Sequence, residues 1–145
     1  MVNRWLGGMF LLLVLSGCGA GMATISSINM PDADLGSIRT VYVQKLPADE
    51  RKLNQMIVDE LSRKGFKAST EPGGQPTGPL DARIEYKDRW FWDMTMYMYQ
   101  LTIYVKDKNG EHVLGAGKSF RMSLARKDPE FMIREVLDAI LGSKK

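Results

Sequence analysis

The residues that could carry out chemistry are few and lie far apart in the chain. Cys18 is the sole cysteine and His112 the sole histidine, so there is no Cys/His pair for nucleophilic catalysis and no histidine cluster for a metal. Asp88 and Asp93 are five residues apart, which in an extended strand places them on opposite faces and about 16 Å apart. We therefore predict that the protein is not an enzyme and that it needs no cofactor or metal.

The position of Cys18 indicates a different chemistry. The cysteine comes shortly after an uncharged apolar stretch, Trp5 to Leu15, which Arg4 precedes. This stretch has the length of the hydrophobic part of a signal peptide, whereas a membrane-spanning helix needs about 20 apolar residues. The alternative is an uncleaved membrane anchor, because the uncharged stretch can be extended to Ile25 and then covers about 21 residues. Several glycines within it disfavour a stable helix.

The residues Leu15-Ser16-Gly17-Cys18 resemble the bacterial lipobox. The resemblance implies transfer of diacylglycerol to the Cys18 sulfur, cleavage between Gly17 and Cys18, and acylation of the new amino terminus by a fatty acid such as palmitate. Two or more acyl chains anchor a protein stably. Gly19 follows the cysteine, where an aspartate would imply inner-membrane retention by resemblance to enterobacterial sorting. We predict a lipid anchor in the outer membrane, facing the periplasm, with the inner membrane as the alternative.

The remainder of the chain has room for one domain. We predict a signal peptide over residues 1–17, a lipidated cysteine with a flexible tether over 18–37, and a single α+β periplasmic domain over 38–145. The tether is rich in Gly, Ala and Ser, and a flexible chain of this length reaches on the order of 25 Å. A net charge of +3 gives no argument for binding nucleic acid.

Hydrophobic periodicity predicts the order strand, helix, strands, helix. The first strand begins at Thr40, and the helix after it has Asp49 and Glu50 in its first turn. The last helix begins with Asp128 as its cap and Pro129 at its first position. This order predicts an α+β fold in which a mostly antiparallel sheet of four to five strands is covered on one face by two helices.

The central strands carry most of the aromatic residues. Strict alternation places one set of large side chains on the face that the helices cover: Tyr86, Trp90, Trp92, Tyr97 and Tyr99. Asn109-Gly110 predicts a tight hairpin turn between the following two strands. Gly115 and Gly117 in the last strand indicate either a bulge or the close approach of another group.

A candidate binding patch follows from the same alternation. Phe91 and Met98 fall on the opposite, otherwise polar face, so regular strands would expose both of them without helix cover. Arg89 lies on that face and could add a directed hydrogen bond. The candidate patch therefore comprises Arg89, Phe91 and Met98 together with the neighbouring Trp90 and Trp92.

Two further resemblances concern the folded part. The stretch 88–94, the stretch 115–121 and the final helix resemble a group of small bacterial lipoproteins without assigned activity. In architecture alone, the chain is similar to the lipopolysaccharide-assembly lipoprotein and to auxiliary lipoproteins of lipid-transport ABC systems. Likeness of architecture does not by itself establish function.

These observations predict a binding protein held at a membrane. The first hypothesis is a non-catalytic accessory in envelope assembly or transport, attached to the bilayer through acylated Cys18 and bound to an envelope protein. The alternative is a lipoprotein that binds a glycan or a lipid, with the Trp and Tyr side chains stacking on sugar rings or lining an apolar groove.

Overall fold

The computed structural model describes residues 22–75 and 77–142, which form one six-stranded mixed sheet covered by two helices. The strands are β1 (Ala23–Asn29), β2 (Thr40–Val43), β3 (Lys67–Thr70), β4 (Ala82–Asp93), β5 (Thr95–Asp107) and β6 (Val113–Arg121). The helices are α1 (Leu53–Arg63) and α2 (Pro129–Leu141). The predicted α+β class is confirmed, and the sheet has one strand more than the predicted four to five.

The sheet has the strand order β1-β6-β5-β4-β2-β3. β4, β5, β6 and β1 pair antiparallel, whereas β2 pairs parallel with both β3 and β4. The parallel pair β2–β3 is connected through α1, because parallel neighbours need a crossover. The predicted hairpin between β5 and β6 is confirmed, and Gly110 in its turn has the positive φ of 79° that such turns require.

β1 corrects the predicted tether. Residues 23–29 were expected to be flexible, but they pair along their whole length with β6, from Ala23 opposite Arg121 to Asn29 opposite Gly115. Side chains hold the strand to α2 as well, since Ser27 Oγ donates to the Ala139 carbonyl (2.9 Å). Only the first residue of β1 is partly buried, because β1 lies at the sheet edge. The folded unit therefore begins well before residue 38.

Both helices bury an apolar stripe against one face of the sheet. α1 contributes Leu53, Ile57 and Leu61 and ends at Arg63, two residues before Gly65, whose φ is positive (89°). The core around these residues is continuous with α2, whose buried residues are Met132, Ile133, Val136, Leu137 and Ile140. The predicted cover of one face by two helices is confirmed, and the opposite, helix-free face is open to solvent.

The start of each helix differs from the prediction. α1 begins at Leu53, and Asp49 lies before it with its carboxylate turned inward to accept the backbone N–H groups of Arg51 and Asn54 (both 3.0 Å). Asp128 occupies the cap position of α2, but its side chain makes no capping hydrogen bond. Pro129 at the first helical position is confirmed, because that position needs no N–H donor.

The two glycines of β6 mark the close approach of α2. A Cβ on Gly117 would lie 2.9 Å from Ile140 Cγ1 and 3.0 Å from Val136 Cγ1, which is closer than carbon atoms pack. The register between β5 and β6 also shifts. Val105 lies opposite Gly115 and Lys106 opposite Val113, so Leu114 of β6 has no partner on β5. Both alternatives expected of this strand, a bulge and a close approach, are therefore present.

Candidate binding surface

A β-bulge in β5 decides which aromatic side chains are exposed. Arg89 lies opposite Gln100, but the next residue, Trp90, lies opposite Met98, so Tyr99 has no partner on β4. An extra residue reverses the alternation of every side chain beyond it. Met98 consequently points into the core and is 1% exposed. The prediction that Met98 joins an exposed patch is wrong.

The same bulge turns two tyrosines away from the helices. Tyr97 and Tyr99, which were expected in the core, lie half-buried on the helix-free face. Of the other aromatic residues predicted to be buried, Tyr86 is in the core, and Trp90 is partly buried against the core. Trp92, in contrast, is 66% exposed beyond the helices. The prediction that Trp92 is buried is therefore wrong, because the hairpin of β4 and β5 extends past the region that the helices cover.

Four rings now form what we call the aromatic groove: Phe91, Tyr97, Tyr99 and Phe120. Phe91 and Tyr97 meet edge to face with centroids 6.3 Å apart, and Tyr99 and Phe120 meet in the same way at 6.2 Å. The groove has a volume of about 340 Å³ and crosses three neighbouring strands. Phe91 is exposed as predicted, at 56%. Its partners in the groove differ from the predicted ones because of the bulge.

One wall of the groove is held by a polar network. Arg126 donates to the Ser123 carbonyl (2.9 Å) and to Thr95 Oγ1 (2.6 Å), and its guanidinium lies 4.8 Å from the centroid of the Tyr97 ring. Ser123 Oγ in turn donates to the carboxylate of Asp93. These contacts join the β4–β5 hairpin to the segment after β6, so the rings are attached to a fixed framework.

A second concavity lies on the helix side of the hairpin, and we call it the tryptophan cleft. It has a volume of about 500 Å³ and is lined by Trp90, Trp92, Met96 and the segment 48–51. The guanidinium of Arg51 lies 4.2 Å from the centroid of the Trp90 ring, at cation–π distance. The indole N–H of Trp90 donates to the carboxylate of Asp88. One face of Trp90 is therefore covered by Arg51, and Trp92 is left to contact a ligand.

Asp49 fixes the floor of the tryptophan cleft. Its carboxylate accepts a hydrogen bond from the hydroxyl of Tyr86 (2.6 Å) besides those from Arg51 and Asn54. Burial favours a higher pKa, but these hydrogen bonds outweigh it and hold the pKa of Asp49 below its ordinary value. Burial, followed by the bond to Asp49, raises the pKa of Tyr86. The hydrogen bond between the neutral Tyr86 phenol and the Asp49 carboxylate therefore connects β4 to the loop before α1.

The other candidate residues lie apart from one another. Arg89 is exposed on the helix-free face, and His112 is exposed beside the β5–β6 turn at the far end of the sheet. Asp88 belongs to the tryptophan cleft and Asp93 to the wall of the aromatic groove. Within residues 22–75 and 77–142 there is no group of three or more side chains suited to a metal ion.

The predicted lipid attachment site lies outside the described residues. Gly17, Cys18 and the predicted signal peptide all precede residue 22. Among the described residues, neither helix is long and apolar enough to cross a membrane.

The residues that sequence reasoning missed are Tyr97, Tyr99 and Phe120 of the aromatic groove, together with Arg126. The bulge has no sequence signature here, because Tyr97, Met98 and Tyr99 are all large and fit either face. Phe120 lies two residues after Lys118 and therefore on the same face, whereas the small residues Gly117 and Ser119 occupy the other face. That alternation could have placed it on the helix-free face from the sequence.

The fold is shared with solved structures of low sequence similarity. A PelC dodecamer from Paraburkholderia phytofirmans matches with a TM-score of 0.61 and 13% identity over 84% of this chain and 100% of the other. A DUF4136 family protein from Bacteroides thetaiotaomicron matches with a TM-score of 0.50 and 8% identity over 81% of this chain and 93% of the other. At these identities the likeness establishes the fold alone.

A minor lipoprotein from Acinetobacter baumannii is also similar, with 19% identity over 68% of this chain and 81% of the other. Its TM-score of 0.32 is too low to carry an argument. No family model matches the sequence, and no curated protein matches it.

Proposed function

We propose that this chain is a bacterial lipoprotein that acts as a non-catalytic accessory of the cell envelope and binds a partner protein through the aromatic groove. Acylated Cys18 attaches it to the outer membrane, where the domain faces the periplasm. The observation that carries the binding role is the bulge at Tyr99, which collects four aromatic rings on the face that the helices leave open. Aromatic side chains are enriched at the centre of protein interfaces because they bury much area at little cost in entropy.

The geometry of the groove supports a role as an interface. Three of its rings are half-buried and Phe91 is exposed, and the four rings form edge-to-face pairs, while the charged neighbours Asp93 and Arg126 are engaged with each other at 3.9 Å. A surface that is ordered before it binds loses less entropy on association. The partner is expected to present an apolar side chain or loop that packs into the groove lined by the two ring pairs.

Photocrosslinking in intact cells tests this role. A photoreactive phenylalanine analogue at Tyr99 is expected to capture one specific protein, whereas the same analogue at Tyr104 captures none. Tyr104 is the matched control, because it is also half-buried in β5 but packs against Lys87, whose Nζ lies 5.7 Å from its ring. A product at twice the mass of this chain would identify a second copy as the partner. Equal capture from both positions would contradict the proposed groove.

The tryptophan cleft supports the second candidate, binding of a glycan or lipid. Trp92 exposes its indole beside the carboxylates of Asp88 and Glu50 and the guanidinium of Arg51, an arrangement in which a sugar ring could stack and its hydroxyls could be hydrogen-bonded. The chain has three tryptophans, and the third is Trp5 in the predicted signal peptide. Tryptophan fluorescence of the mature protein would therefore come only from Trp90 and Trp92 in the cleft.

Titration of that fluorescence checks the second candidate. Peptidoglycan fragments or lipopolysaccharide that bind in the cleft are expected to shift or quench the emission, and Trp92→Leu should remove the larger part of the change. Met122→Leu is the control, since Met122 lines the aromatic groove and not the cleft. An emission spectrum that stays constant through saturating ligand contradicts glycan or lipid binding in the cleft.

A further inference from the structure

One end of the sheet carries an unusual concentration of exposed apolar side chains. We call it the apolar tip, and its members come from the β4–β5 hairpin and from the segment after β6: Trp92, Met94, Met96, Met122 and Leu124. Met94 forms the turn of the hairpin and is 85% exposed, and Leu124 is 88% exposed. Exposed apolar patches of this kind mark contacts with proteins or membranes.

The apolar tip is built as a unit. The hydrogen bonds of Arg126 to Ser123 and Thr95, and that of Ser123 to Asp93, connect the hairpin to the segment that carries Leu124. A backbone hydrogen bond from Met122 N–H to the Met22 carbonyl (2.8 Å) then attaches the start of the described chain to the same place. Three separate segments therefore meet at this end of the sheet.

The direction of β1 fixes where the chain leaves the domain. β1 runs antiparallel to β6, so its first residues lie beside the last residues of β6, at the apolar tip. Cys18 precedes Met22 by four residues, which span at most about 14 Å when fully extended. The link is much shorter than the predicted tether, because residues 23–29 of that tether form β1. A lipid on Cys18 would hold this end of the domain against the bilayer.

Two basic side chains lie beside the apolar tip, in the company of three acidic ones. Arg126 and Lys127 directly follow the segment that carries Leu124, and their cationic groups lie over the rings of Tyr97 (4.8 Å) and Phe131 (5.3 Å). Asp93 is paired with Arg126, while Asp128 and Glu130 lie at the start of α2. Long basic side chains beside apolar ones can reach lipid phosphates while the apolar groups enter the acyl region.

We infer that the apolar tip inserts into the interfacial region of the phospholipid bilayer, with Trp92, Met94 and Leu124 below the headgroups and with Arg126 and Lys127 at the phosphates. Interfacial elements of this kind bury their apolar side about 5–10 Å into the headgroup boundary. The lipid and the tip together form two attachment points, which orient the domain as well as retain it. The inference depends on the proposed acylation of Cys18.

Spin labelling of the full-length lipoprotein tests this orientation. The protein is purified from membranes and reconstituted in vesicles of phosphatidylethanolamine and phosphatidylglycerol. Nitroxide labels are placed on Met94→Cys, Leu124→Cys and Glu111→Cys in separate variants. Glu111 is the control, because it is exposed in the β5–β6 turn at the opposite end of the sheet. Acylated Cys18 takes no label.

The expected result is that the labels at 94 and 124 become more accessible to oxygen than to an aqueous nickel chelate, while the label at 111 shows the reverse. Adding Leu124→Glu to the Met94→Cys variant should shift the label at 94 toward water. Circular dichroism identical to that of the unsubstituted chain shows that the substitutions, all at exposed positions, leave the fold intact.

Other outcomes overturn the inference in distinguishable ways. Labels at 94 and 124 that are as accessible to the chelate as the label at 111, on a protein whose Cys18 is acylated, contradict insertion and leave the proposed lipoprotein standing. Dipolar broadening between labels that are shielded from both reagents would show that a second copy covers the apolar tip. Uptake of label by the unsubstituted chain would reveal a free thiol at Cys18, and the proposed anchor and this orientation would then both be wrong.

Discussion

Met98→Ala is expected to lower the free energy of unfolding by about 2–5 kcal/mol. The side chain is fully buried in the core between the sheet and the helices, so its truncation removes apolar burial and leaves a cavity. Phe91→Ala is expected to cost about 1 kcal/mol or less, since Phe91 is exposed and its main contact is one edge-to-face ring pair. Chemical denaturation of the two variants measures both values.

This pair of variants tests the bulge directly. In a regular hairpin Met98 and Phe91 would share the helix-free face, and the two substitutions would then have similarly small effects. Tyr104→Ala provides a comparison on the same strand, because Tyr104 lies on the helix-free face on the other side of the bulge. A loss at Met98 no larger than that at Phe91 would mean that β5 runs without the extra residue at Tyr99.

Gly117→Val should destabilise the protein by about 3 kcal/mol, at the upper end of the usual cost of overpacking. The first added carbon would already lie within 3.1 Å of three atoms of Ile140 and Val136. The new side chain must therefore push α2 away from β6. The midpoint of thermal or denaturant unfolding is the measurement.

Gly78→Val is the matched control for this substitution. A Cβ at Gly78 meets no atom within 4 Å, so the same chemical change is expected to alter stability by no more than about 0.5 kcal/mol. If the two valine variants unfold at the same denaturant concentration, the close packing of α2 on β6 is contradicted. A larger loss at position 117 that Ile140→Ala partly reverses would show that the clash is the cause.

The sequence predicted the elements whose pattern is local. α2 has an apolar stripe, a proline at its start and a glycine at its end, and the β5–β6 hairpin has Asn109-Gly110, so each could be recognised from a short window of residues. β1 was missed because it lies at an edge and buries almost nothing, which leaves no alternation for the sequence to show. Its partner in β6 is distant in the chain, and pairing at such a distance has no local signature.

The candidate site was predicted only in part, for a related reason. Phe91 and Arg89 lie on the expected face because β4 is regular. The bulge in β5 depends on how the hairpin fits over the core, in which Met98 is buried. Alternation alone cannot show this, since every residue from Tyr97 to Tyr99 is large enough to be placed on either face. The aromatic groove therefore arises from the register in which β5 pairs with β4, and the amino-acid composition of the strands does not reveal it.

The pairing of β1 with β6 also constrains the order of events during biosynthesis. Ala23 pairs with Arg121, so the first of the six described strands to be synthesised must wait for the last one, and contacts this distant in sequence form slowly. Until then β1 has no strand to pair with. Under the proposed acylation of Cys18, that interval would give the modifying enzymes time to act before the sheet is complete.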